Sequence, residues 1–185
     1  ARCYHGESPL AFALFHGLAG SADSPYMRRL CGELVRRGHS VLAVNHRNCG
    51  EGFGLSAKPY HSGRGDDIAH CLSTLRGMFP RKKVVAIGFS LGANALLYLL
   101  TQMKHLPQPD FAIAVNPPVH LAKTVRLIQR RGWNAIYHRR FVRDLVVLVR
   151  QLEAKRKMTA PPRISQWMTI EQFDEYYTAP GSGFL

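Results

Sequence analysis

One short stretch restricts the fold of this chain more than any other: Val84-Val85-Ala86-Ile87-Gly88-Phe89-Ser90-Leu91-Gly92-Ala93-Asn94. An apolar run of this length suits a strand buried on both faces of a sheet. An apolar helix opens directly after it, and Gly-x-Ser-x-Gly lies at the junction. A strand that turns straight into a helix brings the two backbones together too closely for larger side chains, so Gly88 and Gly92 flank the turn. The same turn strains the backbone at Ser90 and exposes its hydroxyl at the C-terminal edge of the sheet.

The rest of the chain supplies the sheet. Leu10 to Phe15 is a second continuous apolar run, and Ser40 to Asn45 and Phe111 to Val115 are two more. Between them lie helical patterns. Met27, Leu30, Cys31, Leu34 and Val35 recur at helical spacing within Pro25–Arg37, and Ile68, Cys71, Leu72, Leu75 and Phe79 do so within Asp66–Phe79. Leu91 to Met103 is the third helix. Strands alternating with helices predict an α/β fold, a mostly parallel sheet with helices on both faces. After Pro118 the pattern changes to helices only, Val119–Arg131 and Trp133–Lys157. A capping box, Thr169-Ile170-Glu171-Gln172, then opens a short helix to Tyr177, and Ala179 to Leu185 reads as loop. A boundary near 118 divides a core, 1–118, from a helical cap or lid segment, 119–185.

The turn at Ser90 carries chemistry as well as geometry. A serine on a strand-to-helix turn is the arrangement of a nucleophile elbow, and the helix N-terminus beside it favours developing negative charge. His16-Gly17-Leu18-Ala19-Gly20 follows the Leu10–Phe15 strand, where hydrolases with such an elbow place one oxyanion-hole amide. The residue after the nucleophile supplies the other. The expected donors are therefore the backbone N–H groups of Leu18 and Leu91.

Composition narrows the classes. With 185 residues the chain is one domain, or one domain with a small appendage. The longest apolar stretch, Val84 to Leu100, is interrupted by Gly88, Ser90, Gly92 and Asn94 and reads as no membrane span. Cys3, Cys31, Cys49 and Cys71 form no Cys-x-x-Cys pair and read as packing residues of a reducing compartment, with a disulfide framework as the alternative. No cluster of His, Cys, Asp or Glu has metal-ligand spacing, and no Gly-rich loop matches a dinucleotide or phosphate pattern, so neither metal nor cofactor is expected.

Several segments together give the chain a family likeness. They are His16-Gly17-Leu18-Ala19-Gly20-Ser21, Ser24-Pro25-Tyr26, Asn45-His46-Arg47-Asn48-Cys49-Gly50-Glu51, Tyr60-His61-Ser62-Gly63 with Asp66-Asp67, the Ser90 elbow, and the late Phe173-Asp174-Glu175 and Thr178-Ala179-Pro180. In these the sequence resembles the α/β-hydrolase superfamily, and within it the YheT-like (AB-hydrolase 4) family of esterases and lipases. The resemblance implies an α/β-hydrolase fold and a Ser-Asp-His triad acting on carboxylic esters, lipid esters among them, through an acyl-enzyme intermediate. Ser90 carries over as nucleophile, Leu18 and Leu91 as oxyanion donors. The acid and the base do not carry over, because family members place them after two further strands. The expectation is therefore a fragment that begins just before the first oxyanion strand, without leading strands, and lacks the C-terminal Asp and His strands. Among histidines within the chain, His120, following Asn116-Pro117-Pro118, is the best stand-in base. His46, Arg47 and the Tyr60–Gly63 segment either line the pocket or brace the elbow within a hydrogen-bonded loop core. The alternative function is a non-catalytic α/β-hydrolase remnant with a basic binding surface.

Charge bears on partners. The formal net charge is +13, and from Lys123 to Lys157 there are 11 basic residues against Asp144 and Glu153. Such helices are either a solvated basic face or a face toward an anionic membrane surface. No nucleic-acid-binding module is visible, and nucleic acid is not an expected partner. The expected location is cytoplasmic and membrane-peripheral, and a sheet missing its outer strands is expected to self-associate.

Overall fold

The computed structural model describes residues 1–129, 132–156 and 164–184. Its sheet has five strands: β1 (Arg2–Tyr4), β2 (Leu10–Phe15), β3 (Ser40–Val44), β4 (Lys83–Phe89) and β5 (Phe111–Val115), in the order β1-β3-β2-β4-β5. The four longer strands run parallel. β2 pairs with β3 from Ala11↔Ser40 to Phe15↔Val44, and with β4 from Leu10↔Lys83 to Phe15↔Gly88. β4 pairs with β5 from Val85↔Phe111 to Phe89↔Val115. All the parallel strands therefore end on one edge, and the loops that follow them converge there.

The expectation of no leading strand is corrected by β1, which pairs antiparallel with β3 through Cys3↔Leu42. Its three residues alternate exposed and half-buried, too short a pattern to register as a strand in isolation. The expected loop at the C-terminus also gives way to a helical turn, because Pro180 sits in its first turn, where a missing N–H costs nothing.

Helices cover both faces. α1 (Pro25–Arg36) lies on one, where Met27, Cys31 and Leu34 meet Phe12, Leu14, Val41 and Ile87. α2 (Gly65–Met78) and α3 (Leu91–Gln102) lie on the other, where Leu72, Leu75, Leu96 and Leu99 meet Phe15, Leu42 and Ala86. Those four leucines are fully buried, each worth roughly 2 kcal/mol in area removed from water. Alternate residues of β2 serve opposite clusters, which is why the strand reads as a continuous apolar run.

A third cluster lies apart from the sheet. α4 (Leu121–Ile128) and α5 (Trp133–Arg156) lead into α6 (Ile170–Phe173), and a π-helical turn, Asp174–Thr178, joins α6 to α7 (Ala179–Ser182). Val142, Leu145, Val146 and Val149 of α5 pack on Met168, Ile170 and Phe173, and Leu18 of the loop after β2 packs against them. The capping box forms as its sequence implies: the Thr169 hydroxyl accepts from the Gln172 N–H at 3.1 Å, and the Gln172 side chain accepts from the Thr169 N–H at 2.9 Å. The four cysteines are free.

Candidate active site

Ser90 sits between β4 and α3 with φ 49° and ψ −114°, a conformation that a non-glycine residue holds only under strain. The surroundings enforce it. A Cβ on Gly88 would lie 2.6 Å from the Ala93 Cα and the Gly92 oxygen, and one on Gly92 would lie 2.5 Å from the His16 oxygen. Both positions exclude a side chain, so the strand, turn and helix close as tightly as the sequence requires. The Ser90 N–H donates to the Val115 oxygen at 2.9 Å, anchoring the turn to β5. The serine itself is exposed, and its hydroxyl makes no hydrogen bond among the described residues.

The loop after β2 runs alongside. A Cβ on Gly17 would come within 3.2 Å of the Ser90 Cβ. Two tyrosines pin this loop. The Tyr26 hydroxyl accepts from the Gly17 N–H at 2.9 Å, and the Tyr60 hydroxyl accepts from the Ala19 N–H at 2.7 Å. Ala19 is itself left-handed, with φ 54°. The amides on either side of Leu18 are thereby engaged, while the Leu18 N–H has no acceptor among the described residues. The Leu91 N–H, in the first turn of α3, is likewise without an intrahelical partner. The Tyr26 ring also packs on Phe89, the residue before the serine, with centroids 4.9 Å apart. One side chain therefore ties the loop to the elbow.

Beneath the loop lie two buried imidazoles. His16 Nδ1 donates to the Gly17 oxygen at 2.7 Å, and its Nε2 accepts from the His46 N–H at 3.1 Å. His46 Nε2 donates to the His16 oxygen at 3.0 Å, and its ring stacks on Tyr60 at 5.4 Å. Burial pushes His16 down to about 3, aided by His46, and burial pushes His46 down to about 4. Both rings are neutral near neutral pH and act as fixed hydrogen-bonding struts. Arg47 forks onto Asp67 with contacts of 2.6 and 2.7 Å, joining the loop after β3 to the first turn of α2. Burial nevertheless lifts the Asp67 carboxyl, outweighing the pull of Arg47.

A cavity of about 340 Å³ spans the sheet edge and the helices after β5. Ser90, Leu91 and Leu18 lie at its floor, and Leu121, Val125, Ile128, Phe141, Leu145 and Phe173 are among its apolar walls. Arg47, Asn48, His61 and Asp174 supply polar groups. Its size and mostly apolar lining suit a small organic ligand held with few polar contacts.

The expected residues do not all converge. Ser90, Leu18 and Leu91 share the cavity, with Gly88 and Gly92 behind them. His120 does not line it. It is the exposed N-cap residue of α4, and the stripe Leu121, Thr124, Val125 and Ile128 faces inward instead. His61 is the one histidine lining this cavity among the described residues. Its position depends on how the loop after β3 folds back, which helical or strand periodicity does not encode. The two tyrosines stand within segments that the family likeness singles out, but their acceptor roles appear only in three dimensions. Asp110 lies at the opposite end of the sheet, where it accepts from the Val84 N–H at 2.7 Å and from Arg76 at 3.0 Å. No group of three or more His, Cys, Asp or Glu suited to a metal occurs among the described residues.

A family model for the alpha/beta hydrolase fold matches residues 11–110, more than half of the 185. The chain belongs to the α/β-hydrolase family. Among similar α/β-hydrolases is the Escherichia coli protein named "Putative esterase YheT", 29% identical over 174 residues that make up 92% of this chain and 51% of that protein. The monoacylglycerol lipase of Saccharomyces cerevisiae is 26% identical over 179 residues, 92% of this chain and 40% of that one. In the solved structure of the Pyrococcus furiosus esterase Pf2001 the match has a TM-score of 0.56 at 27% identity, covering 67% of this chain and 48% of that one. The chain thus spans about half the length, or less, of these three relatives.

Proposed function

We propose that this α/β-hydrolase cleaves carboxylic esters, lipid esters among them, with Ser90 as nucleophile. The carrying observation is the geometry at the turn: a strained, exposed serine beside a loop whose only unengaged amide, among Gly17, Leu18 and Ala19, is that of Leu18. Ser90 Oγ attacks the acyl carbonyl, and the oxyanion that forms is held by the Leu18 and Leu91 N–H groups. Collapse expels the alcohol and leaves an acyl-serine. Water then attacks the acyl carbon, releasing the acid and restoring the hydroxyl. The similarity to proteins named esterase and lipase supports the substrate class. The residues from 119 onward act as a cap on the 1–118 core, their apolar walls receiving the acyl chain.

The cycle needs an imidazole to take the serine proton. No imidazole hydrogen-bonds Ser90 Oγ among the described residues, and that observation favours a second reading, a non-catalytic α/β-hydrolase with a basic binding surface. One experiment separates the two. The full gene product is treated with a fluorophosphonate probe, wild type beside Ser90→Ala. Labelling lost in the variant supports the hydrolase. Absence of labelling in both supports the second reading, and equal labelling in both removes Ser90 as nucleophile.

A further inference from the structure

The wall of the cavity has an outer side that ester cleavage leaves unexplained. α5 turns Val142, Leu145, Val149 and Leu152 inward, where they are buried. On its opposite stripe, at helical spacing, stand Trp133, Ile136 and Tyr137, which are 82%, 61% and 61% exposed. Large apolar residues this exposed on adjacent turns mark a contact surface rather than ordinary surface composition. The same exposed side continues with Arg139, Arg140 and Arg143. Asp144, the one acid between Trp133 and Arg150, pairs with Arg140 at 3.8 Å and Arg143 at 3.3 Å, so three cations meet one anion there. Trp167, 75% exposed, stands beside them, with the Arg139 guanidinium 5.9 Å from its ring.

We propose that this outer face of α5, together with Trp167, docks the protein onto an anionic phospholipid surface. Two features select this partner. The arginines complement a negatively charged headgroup layer. Trp and Tyr present an apolar body and a polar edge, which suits them to the boundary between headgroups and acyl chains, while long arginine side chains keep their charge in the aqueous layer. Ile136 has no role against a polyanion such as nucleic acid but buries readily among acyl chains. In this docking α5 lies in the plane of the surface, its apolar outer residues toward the acyl chains; no helix of the described residues is long and apolar enough to cross a membrane. Leu121, Val125, Phe141 and Leu145 of α4 and α5 wall the cavity, so docking sets the cavity wall in the layer where lipid esters reside.

The chain carries two tryptophans, and both stand on this face, so their fluorescence reports docking directly. The protein is mixed with vesicles of phosphatidylcholine alone or with added phosphatidylserine, and sedimentation and tryptophan emission are recorded against protein without lipid. Binding is expected to be at least about tenfold tighter with phosphatidylserine, with a blue-shifted emission quenched by brominated acyl chains. Trp133→Ser with Ile136→Ser, and separately Arg139→Glu with Arg140→Glu, are each expected to weaken it by about tenfold or more. All four positions are exposed, and far-ultraviolet circular dichroism checks that the fold persists. Failure to sediment with phosphatidylserine vesicles overturns the proposal. So does binding that neither pair of substitutions weakens, or equal binding to heparin and vesicles with unshifted emission. No hydrolysis is read, so the result stands whether or not Ser90 proves reactive.

Discussion

The Tyr60 hydroxyl accepts the Ala19 N–H at 2.7 Å from 41 positions away in the chain. This contact, with its counterpart between Tyr26 and Gly17, leaves the Leu18 amide free beside Ser90. Tyr60→Phe keeps the ring stacked on His46 but removes the acceptor from a part-buried N–H. Unfolding free energy is expected to fall by about 1–3 kcal/mol in urea denaturation. Where the protein hydrolyses an ester, kcat should fall with little change in KM, because the tyrosine positions a donor to the transition state. A loss confined to KM would mean that Tyr60 serves substrate binding instead.

Ser90 is the N-cap of α3, a position where glycine is ordinarily preferred to alanine by up to about 1 kcal/mol. The strain at φ 49° adds to that preference, since glycine holds this conformation without a Cβ clash. Ser90→Gly should therefore exceed Ser90→Ala in unfolding free energy by about 2 kcal/mol or more, and a difference of about 1 kcal/mol or less in urea denaturation would mean that the turn is unstrained.

Two glycines with opposite surroundings make a paired test. Gly88→Ala places a Cβ 2.6 Å from backbone atoms of Gly92 and Ala93, and neither can move without opening the elbow. A loss of more than about 3 kcal/mol, or insoluble expression, is expected. Gly32 in α1 has nothing within 4 Å of its Cβ position, and Gly32→Ala should instead stabilise by about 0.5–1 kcal/mol.

Acid should destabilise the protein through His16 and His46. Their folded values, about 3 and about 4, lie below the ordinary 6.5, so the unfolded chain binds protons that the folded one refuses. Their contribution is complete above pH 6.5 and is lost progressively as the pH falls toward those folded values. Between about pH 7 and pH 5 the loss is about 2 kcal/mol for each ring. Urea midpoints at the two pH values measure it, and His46→Gln should make the dependence shallower.

Among the described residues β5 closes one side of the sheet with its outer edge unpaired, and Phe111 and Ile113 on it are exposed. Such an edge templates association between copies. Sedimentation velocity of the 185-residue chain is expected to show species larger than a monomer, and charged substitutions at Phe111 and Ile113 should shift it toward monomer.

Local pattern alone encodes a large part of this molecule. Four parallel strands, the helices between them, the capping box at Thr169 and the glycine-flanked turn at Ser90 all follow from it. Each depends on residues within one or two turns of one another, where spacing and backbone sterics decide the outcome. β1 escapes because three residues carry too little periodicity, and its strand character comes from pairing with β3.

The placement of the histidines shows the other kind of information. His120 stands where the chain leaves the Ser90 edge of the sheet, yet as the exposed N-cap of α4 it does not line the cavity. His61 lies in an aperiodic loop whose path is set by contacts with distant elements. Residue chemistry and short-range spacing thus specified an α/β sheet with its serine on the strand-to-helix turn, and the likeness of several segments to the α/β-hydrolases implied the family. Which amide beside that serine stays free, and which imidazole shares its cavity, were settled by long-range packing, because they depend on hydrogen bonds and van der Waals contacts between segments that meet only once the sheet has formed.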